Sequence, residues 1–213
     1  MLPPFRACII LTAALTAVSC RSARDTAPHI VQPGAPGAAS RVISTTEATD
    51  LSGVAFTEAD VRFMQGMLAH HAQAVEMTTL LASRTQDEAM RMLGERIRQS
   101  QEDEMAMMRD WLTRRGQPVP DADAHHGHGT LMPGMLTPEE MARLAAASGP
   151  EFDRLFLEGM IKHHEGALTM VEELFGTPGA GQESEIFAFA SDVDVDQRME
   201  IARMRAMLKE RQR

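Results

Sequence analysis

Tyrosine is absent from this 213-residue chain, tryptophan occurs once, at Trp111, and aromatics make up only 4 % of it. A folded core here cannot lean on stacked rings, so aliphatic side chains and the 17 methionines must fill it. Cysteine occurs only at positions 8 and 20. That excludes an internal disulfide framework and a thiolate metal site from the rest of the chain. No stretch alternates apolar and polar residues over enough length to predict a strand. No serine or cysteine nucleophile sits in a recognisable arrangement with a base, and an enzyme is not expected. The net charge of −9 comes without a basic patch, which argues against a nucleic-acid partner. A cationic partner is compatible with it.

The amino terminus reads as a targeting segment. Arg6 supplies a thin positive region, and residues 7–18 are apolar but too short to span a bilayer. The run closes in Ala17-Val18-Ser19-Cys20, which resembles a bacterial lipobox with Ala17 where leucine is commoner. Residues 1–20 are therefore expected to be a lipoprotein-type signal peptide, with Cys20 lipidated and the mature protein held on a membrane of the bacterial cell envelope. Without lipidation the protein would be secreted. Residues 21–55, rich in Ala, Pro, Gly, Ser and Thr, read as a flexible linker. Residues 56–213 form the expected folded domain.

Within that domain one stretch is written twice. Phe63-Met64-Gln65-Gly66-Met67-Leu68-Ala69-His70-His71 returns 93 residues later as Phe156-Leu157-Glu158-Gly159-Met160-Ile161-Lys162-His163-His164. Ala74 and Met77 likewise correspond to Ala167 and Met170. Such a match predicts an internal duplication. Capping and breaking residues predict helices from Thr57 to about Arg84, Gln86 to Arg114, Ser148 to Phe175, and Glu183 almost to the carboxyl terminus, with a short helix opening at Thr137-Pro138. Two related helical hairpins predict an all-α fold, an antiparallel four-helix bundle.

Helical geometry then orients the side chains. At about 100° per residue, His70 and Met67 share the apolar face with Phe63, Ala74, Met77 and Leu81, and His71 lies on its shoulder. Met67 is one turn before both histidines, so the three can meet. Met160, His163, His164 and Met170 repeat the pattern. Glu76, Glu158, Glu172 and Glu173 are expected to face solvent. The partner helices turn inward Ile97, Gln101, Glu104, Met108 and Trp111, and then Val193, Gln197, Glu200, Met204 and Met207. A carboxylate on an inner face must be paired, protonated or bound to a metal, and the histidines are the obvious partners.

Imidazole and thioether together point to copper, because thioether selects copper(I) and is a poor partner for hard cations. Zinc is the second choice, using the histidines and glutamates alone. A carboxylate-bridged di-iron centre needs Glu-x-x-His on two helices, and Met67 and Met160 stand where those carboxylates belong. Glu104 and Glu200 are expected to accept imidazole N–H groups, with direct ligation as the alternative. The tract His125-His126-Gly127-His128 is a candidate secondary metal site. The rival reading is a structural or interaction module whose buried His–Glu network fixes the bundle without metal. A homo-oligomer and a delivery partner are both left open.

The two Phe-x-x-x-Met-x-x-His-His units, with Met132-Pro133-Gly134-Met135 between them, resemble the domain-of-unknown-function 305 (DUF305) family over roughly residues 57–210. The resemblance implies a ferritin-like bundle and an extracytoplasmic location. It also implies kinship with periplasmic copper-binding proteins, whose metal role would fall on Met67, His70, His71, Met77, Met160, His163, His164 and Met170.

Overall fold

The computed structural model describes residues 29–32, 39–50, 55–120 and 131–211. The expected leader with Cys20, and the histidine tract at His125, His126 and His128, lie outside the described residues.

Two units are distinguished, residues 1–50 and 51–213. In the first, β1 (Ile30–Gln32) pairs antiparallel with β2 (Arg41–Ile43), and a five-residue helix, α1 (Thr45–Thr49), follows. The strand pair lies within the span read as a linker and is not expected from the sequence. Ile30 and Val31 face Ile43 and Val42 in the register, and these β-branched residues suit an extended chain even where no longer alternation announces one.

The second unit is all-α. Thr57 and Asp60 exchange capping bonds at the start of α2 (Glu58–Thr79), the reciprocal box that the sequence predicts. The helix stops short of Arg84. At its end the hydroxyls of Thr78 and Thr79 bond back to the carbonyls of Val75 and Glu76 at 2.7 Å. A single turn, α3 (Leu81–Arg84), completes it. Asp87 caps α4 (Glu88–Arg114), and Thr137 with Glu140 caps α5 (Pro138–Ala146). α6 (Gly149–Gly176) and α7 (Ser184–Arg211) form the second hairpin.

Cross-helix contacts give the directions. From α2 and the α3 turn that continues it to α4, His71 meets Glu104 and Leu81 meets Gly94. From α6 to α7, His164 meets Glu200 and Phe175 meets Phe187. From α2 to α6, Gly66 approaches Met170 and Gly159 approaches Met77. At the end of α4, Trp111 reaches Glu183 just before α7 and Arg114 reaches Glu185 in its first turn. Arg211 near the end of α7 reaches Asp87 at the start of α4, so along each pair one number rises as the other falls and neighbouring long helices run antiparallel.

The core is divided in two. One apolar cluster gathers Phe63, Met67, Leu68, Met108, Trp111, Leu174, Phe189 and Val193, and the other Met77, Leu81, Ile97, Phe152, Phe156, Met160, Met204 and Met207. On every long helix the residues between the clusters include the polar ones: His70, His71 and Gln73 on α2, Gln101 and Glu104 on α4, His163 and His164 on α6, Gln197 and Glu200 on α7. A polar layer thus crosses the middle of the domain.

Candidate metal centre

All four histidines of the repeat are buried, none more than 1 % exposed. Their rings form a row: His71 and His70 have centroids 6.4 Å apart, His70 and His163 3.8 Å, His163 and His164 6.1 Å. The central pair stacks at an interplanar angle of 37°. Each outer ring turns to the carboxylate of its own hairpin. His71 Nε2 lies 2.5 Å from Glu104 Oε2, and His164 Nε2 lies 2.6 Å from Glu200 Oε2. The central rings use backbone instead: His70 Nε2 donates to Pro133 O at 3.0 Å, and His163 Nε2 to His70 O at 2.9 Å.

These partners fix the tautomers. A carbonyl oxygen only accepts, so Nε2 of His70 and His163 must carry the hydrogen. The carboxylates make the same demand on His71 and His164. In a neutral ring the lone pair then sits on Nδ1. All four Nδ1 atoms are buried without a hydrogen-bond partner, and so are Oε1 of Gln101 and Gln197. An enclosed polar atom left unpaired costs about 1–3 kcal/mol. Six in one layer are hard to reconcile with a purely passive core.

Burial also sets the charge of the central pair. Desolvation pushes His70 down from 6.5 to about 3, with repulsion from His71 next, while the bond to the Pro133 carbonyl opposes the shift and His164 adds the least. His163 is lowered in the same direction, again chiefly by burial and then by the neighbouring rings. An unfolded histidine protonates near 6.5. Between that value and about 3 the unfolded chain therefore binds more protons than the folded one at His70, and stability must fall as acid is added. In metal-free protein the unfolding free energy from urea titration is expected to drop from pH 6.5 toward pH 5, above the carboxylate range, by roughly 1 kcal/mol per pH unit for each such histidine, and the midpoint with it. A midpoint flat across that interval would place the rings in water.

A strap seals the central pair, and the sequence pattern does not disclose its role. Residues 132–136 cross α2 and α6. Gln73 grips the strap by donating to Leu136 O at 3.0 Å and accepting from Leu136 N at 2.8 Å. On α6 the residue equivalent to Gln73 is Gly166. A Cβ there would stand 2.0 Å from Pro133 O. Gly134 adopts φ +74°, and a Cβ on it would stand 2.4 Å from Lys162 O. The duplication is broken where the strap needs a side-chain clamp on one helix and bare backbone on the other. The available signal was this Gln73/Gly166 mismatch inside an otherwise close repeat.

Met67, Met77 and Met160 are buried without measurable exposure and Met170 is 8 % exposed. Met170 Cε and Met132 Sδ both lie 3.4 Å from the place a Gly66 Cβ would take, while Met77 Cε and Leu136 bracket Gly159 in the same way. Glu158, Glu172 and Glu173 are exposed as expected. Glu76 is not: it is half-buried and has interactions of its own. Among the described residues, no group of three or more His, Cys, Asp and Glu side chains is disposed to hold a metal. His70 and His71, expected to meet at one point, diverge toward different partners.

The family model described as Domain of unknown function (DUF305) matches residues 60–208. A DUF305 fragment from Deinococcus radiodurans is 33 % identical, with a TM-score of 0.63 over 73 % of this chain and 98 % of that one. A DUF305 protein from Streptomyces coelicolor is 34 % identical, with a TM-score of 0.62 over 72 % and 93 %. CopM in its Cu(II)-bound form is 28 % identical, with a TM-score of 0.58 over 71 % and 96 %. No curated protein matches the chain.

Proposed function

The chain belongs to the DUF305 family, and on that premise we propose that it is a non-enzymatic, extracytoplasmic metal-binding protein that holds copper in its polar middle layer. The observation that carries this reading is the set of four buried, unpartnered Nδ1 atoms. Each has its opposite ring nitrogen tied to an oxygen acceptor. That is the arrangement in which a histidine is oriented and made basic for a metal. The kinship with CopM, seen in Cu(II)- and Cu(I)-bound forms at 28 % and 25 % identity, supports the choice of ion.

The scaffold is an antiparallel four-helix bundle of the ferritin-like type, built from two duplicated hairpins. Since imidazoles and carboxylates do not by themselves converge in threes among the described residues, the site draws on the stacked His70/His163 pair and on thioether sulfur. Met67 and Met160 are the sulfur donors, with Met77 and Met170 as further thioethers available to the site. His71 and His164 complete the donor set, while Glu104 and Glu200 hold their N–H groups. Sulfur donors favour copper(I) over zinc. His125, His126 and His128 form a secondary site, and Cys20 carries the lipid that anchors the protein to its membrane. No described helix is long and apolar enough to cross a bilayer.

Competition experiments test this reading. The purified chain is expected to hold copper(I) against a chromophoric chelator and to release zinc to the same competitor. Glu104→Gln and Glu200→Gln keep the shape but weaken the acceptor, and each is expected to lower copper(I) affinity by about 10–100-fold. A chain that takes up neither metal would leave the rival reading, an interaction module whose His–Glu pairs only fix the fold. The lack of a ready-made three-residue site is the observation on that side.

A further inference from the structure

The duplication provides an internal comparison at the two ends of the domain. Asp60 on α2 and Asp153 on α6 are equivalent, 93 residues apart. Asp60 is fully buried and both its oxygens are used. Oδ2 accepts from Thr57 N–H and Oγ–H at 2.7 and 2.9 Å, and Oδ1 accepts from Gly181 N–H at 2.7 Å.

Asp153 is nearly as deep, at 6 % exposure, yet its Oδ1 has no partner. The sequence explains why. Pro150 stands where the first repeat has Thr57, and proline brings neither an N–H nor a hydroxyl. Gln101 and Glu104 match Gln197 and Glu200 at an offset of 96, so the residue matching Gly181 is Thr85, whose N–H is taken by Leu81 O at 3.3 Å. The second copy of the carboxylate has lost each donor that satisfies the first.

A cleft of about 660 Å³ opens where those donors are missing, with Asp153 in its wall. Its two guanidinium groups are committed elsewhere. Arg154 binds Glu151 and Glu158 at 2.6–3.0 Å, and Arg211 pairs with Asp87. Glu151, Glu158 and Asp87 thus occupy the two guanidinium groups, and neither cation bonds Asp153. Pro150 and Leu208 add apolar wall. No group of three His, Cys, Asp or Glu is disposed to hold a metal among the described residues, so a bare metal ion is a poor fit. A buried carboxylate without a partner is costly, and a hydrogen-bonding cation relieves that cost.

We propose that this cleft is a binding site for a small organic ammonium ion, which donates N–H to Asp153 and rests its hydrocarbon on Pro150 and Leu208. The site is separate from the histidine layer and does not depend on it.

Titration of the ¹⁵N-labelled chain with n-butylammonium chloride, followed by amide shifts, tests the proposal, with n-butanol as the uncharged probe. Saturable shifts are expected for Gly149, Glu151–Arg154, Leu208 and Arg211 with n-butylammonium only. Asp153→Asn removes the charge at constant shape and is expected to weaken binding at least tenfold. Gln86→Arg places a competing cation on an exposed residue of the cleft wall and is expected to do the same, should the asparagine variant fail to fold. Absence of saturable shifts in the folded chain would overturn the proposal. So would equal shifts with n-butanol, or undiminished affinity in both folded variants.

Discussion

Replacing Met67, His70 and His71 together with alanine is expected to lower copper(I) affinity by at least ~100-fold, since loss of a group that merely orients a ligand already costs about 10–100-fold. The change removes one ring of the central pair, the outer ring of the first hairpin and the sulfur one helical turn before them. It also leaves Glu104 without the imidazole 2.5 Å away. Breaking such a pair from one side destabilises by about 3–5 kcal/mol when it is fully buried, and by less here because the Glu104 side chain is 16 % exposed. Folding of the variant must therefore be checked by circular dichroism before affinities are compared. A gentler companion separates sulfur from nitrogen. Met67→Leu with Met160→Leu conserves volume and is expected to cost under ~1.5 kcal/mol per site, yet to weaken copper(I) while sparing zinc. Unchanged copper(I) affinity in the folded triple variant would remove the first hairpin from the site.

Gly166→Ala is expected to be the most damaging single methyl group in the domain. The added Cβ would lie 2.0 Å from Pro133 O and 2.4 Å from Pro133 C. Both are backbone atoms and cannot rotate away. The strap must lift, and His70 then loses the carbonyl that its Nε2–H uses at 3.0 Å. Overpacking costs about 1–3 kcal/mol and an enclosed unpaired donor about 1–3 more. At roughly 2–4 °C per kcal/mol for a domain of this size, the melting temperature should fall by about 5–20 °C. The metal-free protein shows this by differential scanning calorimetry. A melting temperature within a degree of wild type would mean that the strap does not rest on α6.

Much of the architecture is legible in the chain because helices announce themselves locally. Capping residues such as Thr57 and Thr137, and the breakers after Phe175, act within a turn or two of their own position. The inward faces were readable for the same reason, since a 3.6-residue period puts His70, Gln101, Gln197 and Glu200 on their faces without reference to the rest of the fold. What the pattern does not reveal is tertiary. Glu158 and Glu76 both fall on an outer face by rotation, but only the packing of neighbouring segments half-buries Glu76. Rotation likewise brings His70 and His71 to one side of α2, yet their rings part because Pro133 and Glu104 offer acceptors in different directions. The strap itself has no periodicity to detect. Its seat is recorded only in the exchange of Gln73 for Gly166 between repeats. The strands at Ile30 and Arg41 are three residues each, too short for alternation to register.

The account depends on lone pairs at Nδ1, turned inward by bonds at Nε2, being where the ion is held. Crystals of the chain loaded with copper(I), with diffraction recorded on both sides of the copper absorption edge, test that directly. An anomalous peak within about 2.0–2.3 Å of Nδ1 of His70 or His163, with a methionine sulfur in the same shell, is the predicted result. Peaks confined to surface histidines or to the tract at His125–His128, with the middle layer empty of copper, would contradict it.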